Sequence, residues 1–134
     1  MYRMYKRSMK TMARSECDLK LDIDTHRGNP IRRVNFRYKW LAYYYHDLLP
    51  ARFSVYRTKK GYHFYIRLSK RIYPMPTVFF QAVLGSDWLR EIRNMRRIDD
   101  GFEDWNILFS AKYDGKKARF EKYHASYTLN NVRA

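Results

Sequence analysis

The chain has 134 residues, 46 % of them apolar, which suits one domain with its own core. A formal net charge of +15, with thirteen Tyr, eight Phe and three Trp, points to a polyanionic partner, nucleic acid before a membrane surface. The single Cys17 excludes an internal disulfide and a thiolate zinc site, no apolar run approaches the ~20 residues of a membrane span, and the basic N-terminus lacks a signal peptide's apolar stretch, so an intracellular, cytoplasmic setting is expected.

Residues 1–15 carry Arg3, Lys6, Arg7, Lys10 and Arg14 and no acid. A short helix and a phosphate-gripping basic arm both fit this pattern. Residues 17–24 alternate, with Leu19, Leu21 and Ile23 on one side and Asp18, Lys20, Asp22 and Asp24 on the other. This predicts a strand with one buried face. After a break over 25–30, residues 33–49 read as a helix with Asn35 as N-cap. Its expected apolar stripe is Phe36 or Arg37, Trp40, Leu41, Tyr44, Tyr45, Leu48 and Leu49, and Pro50 ends it. The Tyr43–Tyr45 run is expected to pack against the sheet rather than supply a nucleophile.

Residues 51–57 predict a second strand with Phe53 and Val55 inward. Lys59-Lys60-Gly61 predicts a turn, with Gly61 able to take positive φ. In a third strand over 62–69, Tyr62, Phe64, Ile66 and Leu68 face the core, and His63, Tyr65, Arg67 and Ser69 face the side that bears Asp22 and Asp24. Pro74 and Pro76 lead into a second helix over 77–84, closed by Gly85. Ser86-Asp87 is an N-cap signal for the stretch from Trp88. Between 90 and 98, Leu89, Ile92 and Met95 suggest a helix, whereas the topology asks for a strand. An acidic loop over 99–104 precedes a hairpin centred on Asp114-Gly115, and 124–134 read as a frayed tail.

The order predicts a single α+β domain. Its core, residues 17–123, is expected to be a ferredoxin-like βαββαβ antiparallel sheet with two helices on one face and an extra C-terminal hairpin. RNA-recognition (RRM-like) modules stack bases on the open face of such a sheet. Tyr56, Tyr65 and Arg67 are therefore candidate nucleic-acid contacts.

Asp22 and Asp24, two apart on one strand, project from the same face and suit a divalent cation such as Mg²⁺ or Mn²⁺. Such ions align an attacking hydroxyl and neutralise a leaving pyrophosphate. Thr58, Lys60 and the Gly61 amide are candidates to cradle phosphates, and His63 to hydrogen-bond a phosphate oxygen.

The segment Leu19-Lys20-Leu21-Asp22-Ile23-Asp24, followed by Gly61-Tyr62-His63, resembles the archaeo-eukaryotic primase and primase-polymerase superfamily. The resemblance implies an RNA-recognition-like catalytic core, Asp22 and Asp24 as catalytic metal ligands, and His63 on the incoming nucleotide's triphosphate. The stretch from Leu84-Gly85-Ser86-Asp87 to Arg97, Asn106 and Lys112 is similar to the downstream part of such domains, placing Arg97 and Lys112 among the nucleotide contacts. The family expects a third acid after the second helix; Asp87 is the candidate ligand, and Asn94 occupies the competing position. Full members usually carry more structure around this core and often a zinc-bearing module, and neither is expected within these 134 residues.

Two classes of function follow. One is a minimal primase-like or polymerase-like protein performing metal-dependent nucleotidyl transfer in DNA replication, with nucleotides and DNA, rather than RNA, as partners. An archaeal virus or plasmid is the expected origin. The other is a non-catalytic nucleic-acid binder on the same fold. A rolling-circle replication nuclease ranks lower, since His63-Phe64-Tyr65 holds one His where that chemistry needs two. A small structural or host-interaction protein is the remaining class.

Overall fold

Strict alternation makes β1 (Glu16–Ile23) a strand, and its Leu19, Leu21 and Ile23 are buried. The structure, a computed structural model, describes residues 15–109, 111–114 and 117–131, with backbone alone at 111–114, 117 and 118. The predicted N-terminal arm therefore lies outside the described residues, Ser15 excepted. Strands β2 (Ala51–Arg57) and β3 (Tyr62–Ile72) fall where alternation places them and bury Phe53, Val55, Phe64, Ile66 and Leu68.

Helix α1 (Pro30–Tyr44) starts earlier than predicted. Asn29, not Asn35, is its N-cap: it takes φ 51°, its side chain accepts from the Arg32 amide at 3.2 Å, and Pro30 fills the first turn. The buried stripe is Pro30, Val34, Tyr38 and Ala42, so the predicted aromatic stripe faces outward. Val34 and Ala42 join the core that the sheet residues form. Tyr38 reaches further, meeting Phe53 edge-on at 4.9 Å and donating its hydroxyl to the Leu48 carbonyl at 2.5 Å. Phe36, Trp40, Tyr43, Tyr44 and Tyr45 are all exposed.

Helix α2 (Pro74–Val83) ends as predicted, with Gly85 at φ 102° just beyond it. Helix α3 (Trp88–Asp99) settles the ambiguous stretch: it is helical throughout, capped by Asp87. It buries Arg90, Glu91 and Asn94 and exposes Leu89, Ile92 and Met95. The apolar spacing there marks the outer face.

The main sheet is antiparallel with order β1-β3-β2-β6, where β6 is Lys122–Leu129. Residues 122–129 thus form an edge strand rather than part of a frayed tail. Tyr127 stacks on Phe53 at 4.7 Å and its hydroxyl bonds to Asn35. The hairpin predicted from 106–113 and 117–123 is confined to β4 (Ala111–Asp114) and β5 (Lys117–Phe120), and Lys122 and Tyr123 belong to β6 instead. The fold is α+β, with three helices among the described residues instead of two. The final strand joins β2, and among the described residues the outer edge of β1 has no strand neighbour.

Side chains occupy that edge instead. Asn106 Nδ2 donates to the Asp18 carbonyl (3.3 Å), the Lys20 amide donates to Gln81 Oε1 (2.9 Å), and Arg90 Nη1 donates to the Lys20 carbonyl (2.7 Å). The Asp22 amide donates to Ser86 Oγ (3.0 Å), and its carbonyl accepts from the Asp87 amide (2.7 Å). An exposed row of backbone groups would template aggregation, and a buried one must be paired. Here α2, α3 and the extended segment at 106 do the pairing that a strand would do. Among the described residues, no helix is long and apolar enough to cross a membrane.

Candidate metal and phosphate cleft

The β1–β3 register sets Asp22 directly opposite His63. Asp24 follows the end of β1, and the bond from the Asp87 amide to the Asp22 carbonyl draws the start of α3 to the same place. One oxygen from each of Asp22, Asp24 and Asp87 lies within 4.8 Å of the other two. Burial is graded: Asp22 is buried, Asp87 half-buried and Asp24 exposed. Asp87 also caps α3, its Oδ2 accepting from the Arg90 amide at 3.1 Å.

Arg90, Arg93 and Arg97, at i, i+3 and i+7 on α3, line the same cleft of about 170 Å³, with Ile107, Leu108 and Phe109 as its apolar wall. The arginines differ in availability. Arg90 donates to Ile107 O (2.9 Å), Lys20 O (2.7 Å), Glu91 Oε2 (2.5 Å) and Asn106 Oδ1 (2.9 Å). These bonds make it a structural group; burial lowers its pKa, and the charge of Glu91 opposes that shift. Arg97 donates to Asn94 Oδ1 at 2.9 Å, and Arg93 is exposed. Asn94, the competing candidate for the third acid, is fully buried among Glu91, Asn106 and Arg97. Asp87 is the acid that joins the pair.

His63 is 2 % exposed. Its Nδ1 lies 2.6 Å from Glu121 Oε2 and its Nε2 lies 3.5 Å from Asp22 Oδ1. Burial alone would lower its pKa, but hydrogen bonds and charge from Asp22 and Glu121 outweigh that and raise it above 6.5. The cation so favoured sits between the two carboxylates. Glu121 also accepts from the Tyr65 hydroxyl, and burial followed by this acid raises the tyrosine's pKa. Glu121 was missed in the sequence, although it is the only acid after Asp114. Its position at the β5–β6 junction gives it no partner in any local pattern.

The remaining sequence candidates fall elsewhere. The Gly61 amide donates to Thr58 Oγ1 (3.0 Å), while the Thr58 amide donates to the Gly61 carbonyl (2.9 Å), so this turn closes on itself. Gly61 is not at positive φ, contrary to expectation. It is glycine because a Cβ would lie 1.7 Å from the Ile23 carbonyl oxygen. Lys60 is exposed and does not line the cleft. Thr58 and Lys59 instead line a separate pocket with Arg57, Arg119, Phe120 and Lys122, four of the six being cations. Tyr56 packs edge-on against Tyr65 (5.5 Å) and Tyr123 (5.8 Å). Arg67 Nε pairs with Asp18 Oδ1 at 2.6 Å. The side chain of Lys112 lies outside those described.

No protein-family model, curated protein or solved structure matches the chain significantly.

Proposed function

We propose that this is a nucleic-acid-binding protein of primase- or polymerase-like type, whose cleft performs metal-dependent nucleotidyl transfer on a DNA template. The observation that carries the reading is the convergence of three carboxylates, within 4.8 Å of one another, in a cleft also lined by Arg93 and Arg97. Hard oxygen donors in that number fit Mg²⁺ or Mn²⁺, which often sit between carboxylates and substrate phosphates. Bound there, the cation would neutralise charge developing on a transferring phosphoryl group. Asp22, Asp24 and Asp87 hold it. Arg93 and Arg97 receive the outer phosphates, and His63 fixes the orientation of Asp22 from behind. The sheet belongs to this reading as an RNA-recognition-like variant, in which the place beside β1 is held by side chains from α2, α3 and Asn106.

The test is template-directed extension with labelled nucleotides and Mn²⁺. Extension that disappears in Asp22→Ala and Asp24→Ala supports the reading. Absence of extension by the wild-type protein, with nucleic-acid binding intact, overturns the catalytic part.

A non-catalytic binder is the second reading. It is favoured by the geometry of His63, whose two ring nitrogens face Glu121 and Asp22. On that reading His63→Gln changes stability but leaves nucleotide affinity unchanged.

A further inference from the structure

The outer face of α1 exposes four large rings, Phe36, Trp40, Tyr43 and Tyr44, at 66, 59, 64 and 63 % of their surface. With Arg32 and Lys39 they border a groove of about 840 Å³. Clustered exposed aromatics on a protein surface usually mark an interaction site. The rings gather without closing on one another. Trp40 and Tyr44 are tilted by 39° at 6.0 Å, and Tyr43 meets Tyr44 edge-on at 5.1 Å.

Charge narrows the occupant. No acid occurs between Asp24 and Asp47, while Arg27, Arg32, Arg33, Arg37 and Lys39 all fall in that span. Of these, Arg32 and Lys39 border the rings with no acid beside them, so a second copy would set like charges against each other. A polyanion with flat π faces suits both the charge and the rings. The sheet face expected to stack bases is less open: the Tyr65 hydroxyl is held by Glu121, and Tyr56 sits edge-on to Tyr65 and Tyr123.

We propose that α1 holds a single strand of nucleic acid, its bases stacked on Trp40 and the neighbouring rings and its phosphates neutralised by Arg32 and Lys39. This rests on the reading of the chain as a nucleic-acid protein and adds where the strand lies. The strand is held independently of the metal cleft, so binding persists in EDTA.

The experiment titrates full-length protein with a short oligothymidylate in EDTA, read by tryptophan fluorescence and by anisotropy of a labelled strand. Wild-type fluorescence is quenched on binding. Trp40→Ala weakens binding about tenfold or more, as loss of a stacking ring does. Trp40→Phe keeps most of the affinity but loses most of the quenching. Lys39→Gln reduces the slope of log affinity against log salt by about 0.7. If the wild type binds but Trp40→Ala and Phe36→Ala bind equally well, the strand lies elsewhere and only this inference fails. If the wild type binds no oligonucleotide, the nucleic-acid reading fails with it. A concentration-dependent dimer that Trp40→Ala dissolves and oligonucleotide does not displace would assign the face to a second copy and overturn the proposal.

Discussion

Helices α1 and α3 both bury one side, but α1 buries apolar residues and α3 buries polar ones. α1 packs on the face of the sheet and buries Val34, Tyr38 and Ala42, leaving its larger rings outside. α3 packs near the edge of β1 and buries Arg90, Glu91 and Asn94, leaving Leu89, Ile92 and Met95 outside. The difference follows from what each helix covers. A sheet face offers apolar side chains and selects apolar partners. A sheet edge offers backbone N–H and C=O groups, which must be hydrogen-bonded when buried. A polar stripe on a helix can therefore be a core stripe where the core is a strand edge.

The comparison breaks most readily at α3. Arg90→Ala leaves Glu91 buried without its cation and removes the donor to Lys20 O; a loss of about 3–5 kcal/mol in urea unfolding is expected. A loss comparable to that of a surface substitution would show that the edge does not need its side-chain partners. On α1, Val34→Ala tests the apolar counterpart, with about 1–3 kcal/mol expected from a truncated core side chain. Tyr38→Phe keeps the ring but deprives the Leu48 carbonyl of its donor, for about 1 kcal/mol. The outer faces complete the series: Trp40→Ala and Ile92→Ser each change stability by less than about 0.5 kcal/mol. If Trp40→Ala costs as much as Val34→Ala, the assignment of faces on α1 is wrong.

The smallest effect concerns pH. His63 has a folded pKa above its ordinary 6.5, so its contribution is fully present below about pH 6.5 and is lost as pH rises through the folded value. Unfolding measured across that window is expected to show stability falling with pH. His63→Gln flattens this part of the profile; an unchanged profile would detach the histidine from Asp22 and Glu121.

Much of the sheet was legible because period two is unambiguous where one face is buried. The pairing of Asp22 with His63 followed from two separate strands whose polar residues shared a parity. The position of Asp87 at a helix start followed from Ser86-Asp87 before an amphipathic run. What escaped was set by tertiary geometry. β6 pairs with β2, with Tyr127 stacked over Phe53, a long-range contact that no local signal encodes. The inward face of α1 turned on Asn29 and Pro30 starting the helix, since an earlier start and small inward residues outweighed the larger rings. Glu121 reaches His63 from 58 residues away, beyond any motif spacing.

Asp22, Asp24 and Asp87 are the proposed ligands of the cation. A titration of Mn²⁺ followed by electron paramagnetic resonance, with wild type and Asp22→Asn/Asp24→Asn side by side, tests this assignment most directly. Wild-type protein is expected to remove free Mn²⁺ signal, more strongly when a nucleoside triphosphate is present, and the double variant is not. Equal uptake by the two proteins, or none by the wild type, would contradict it.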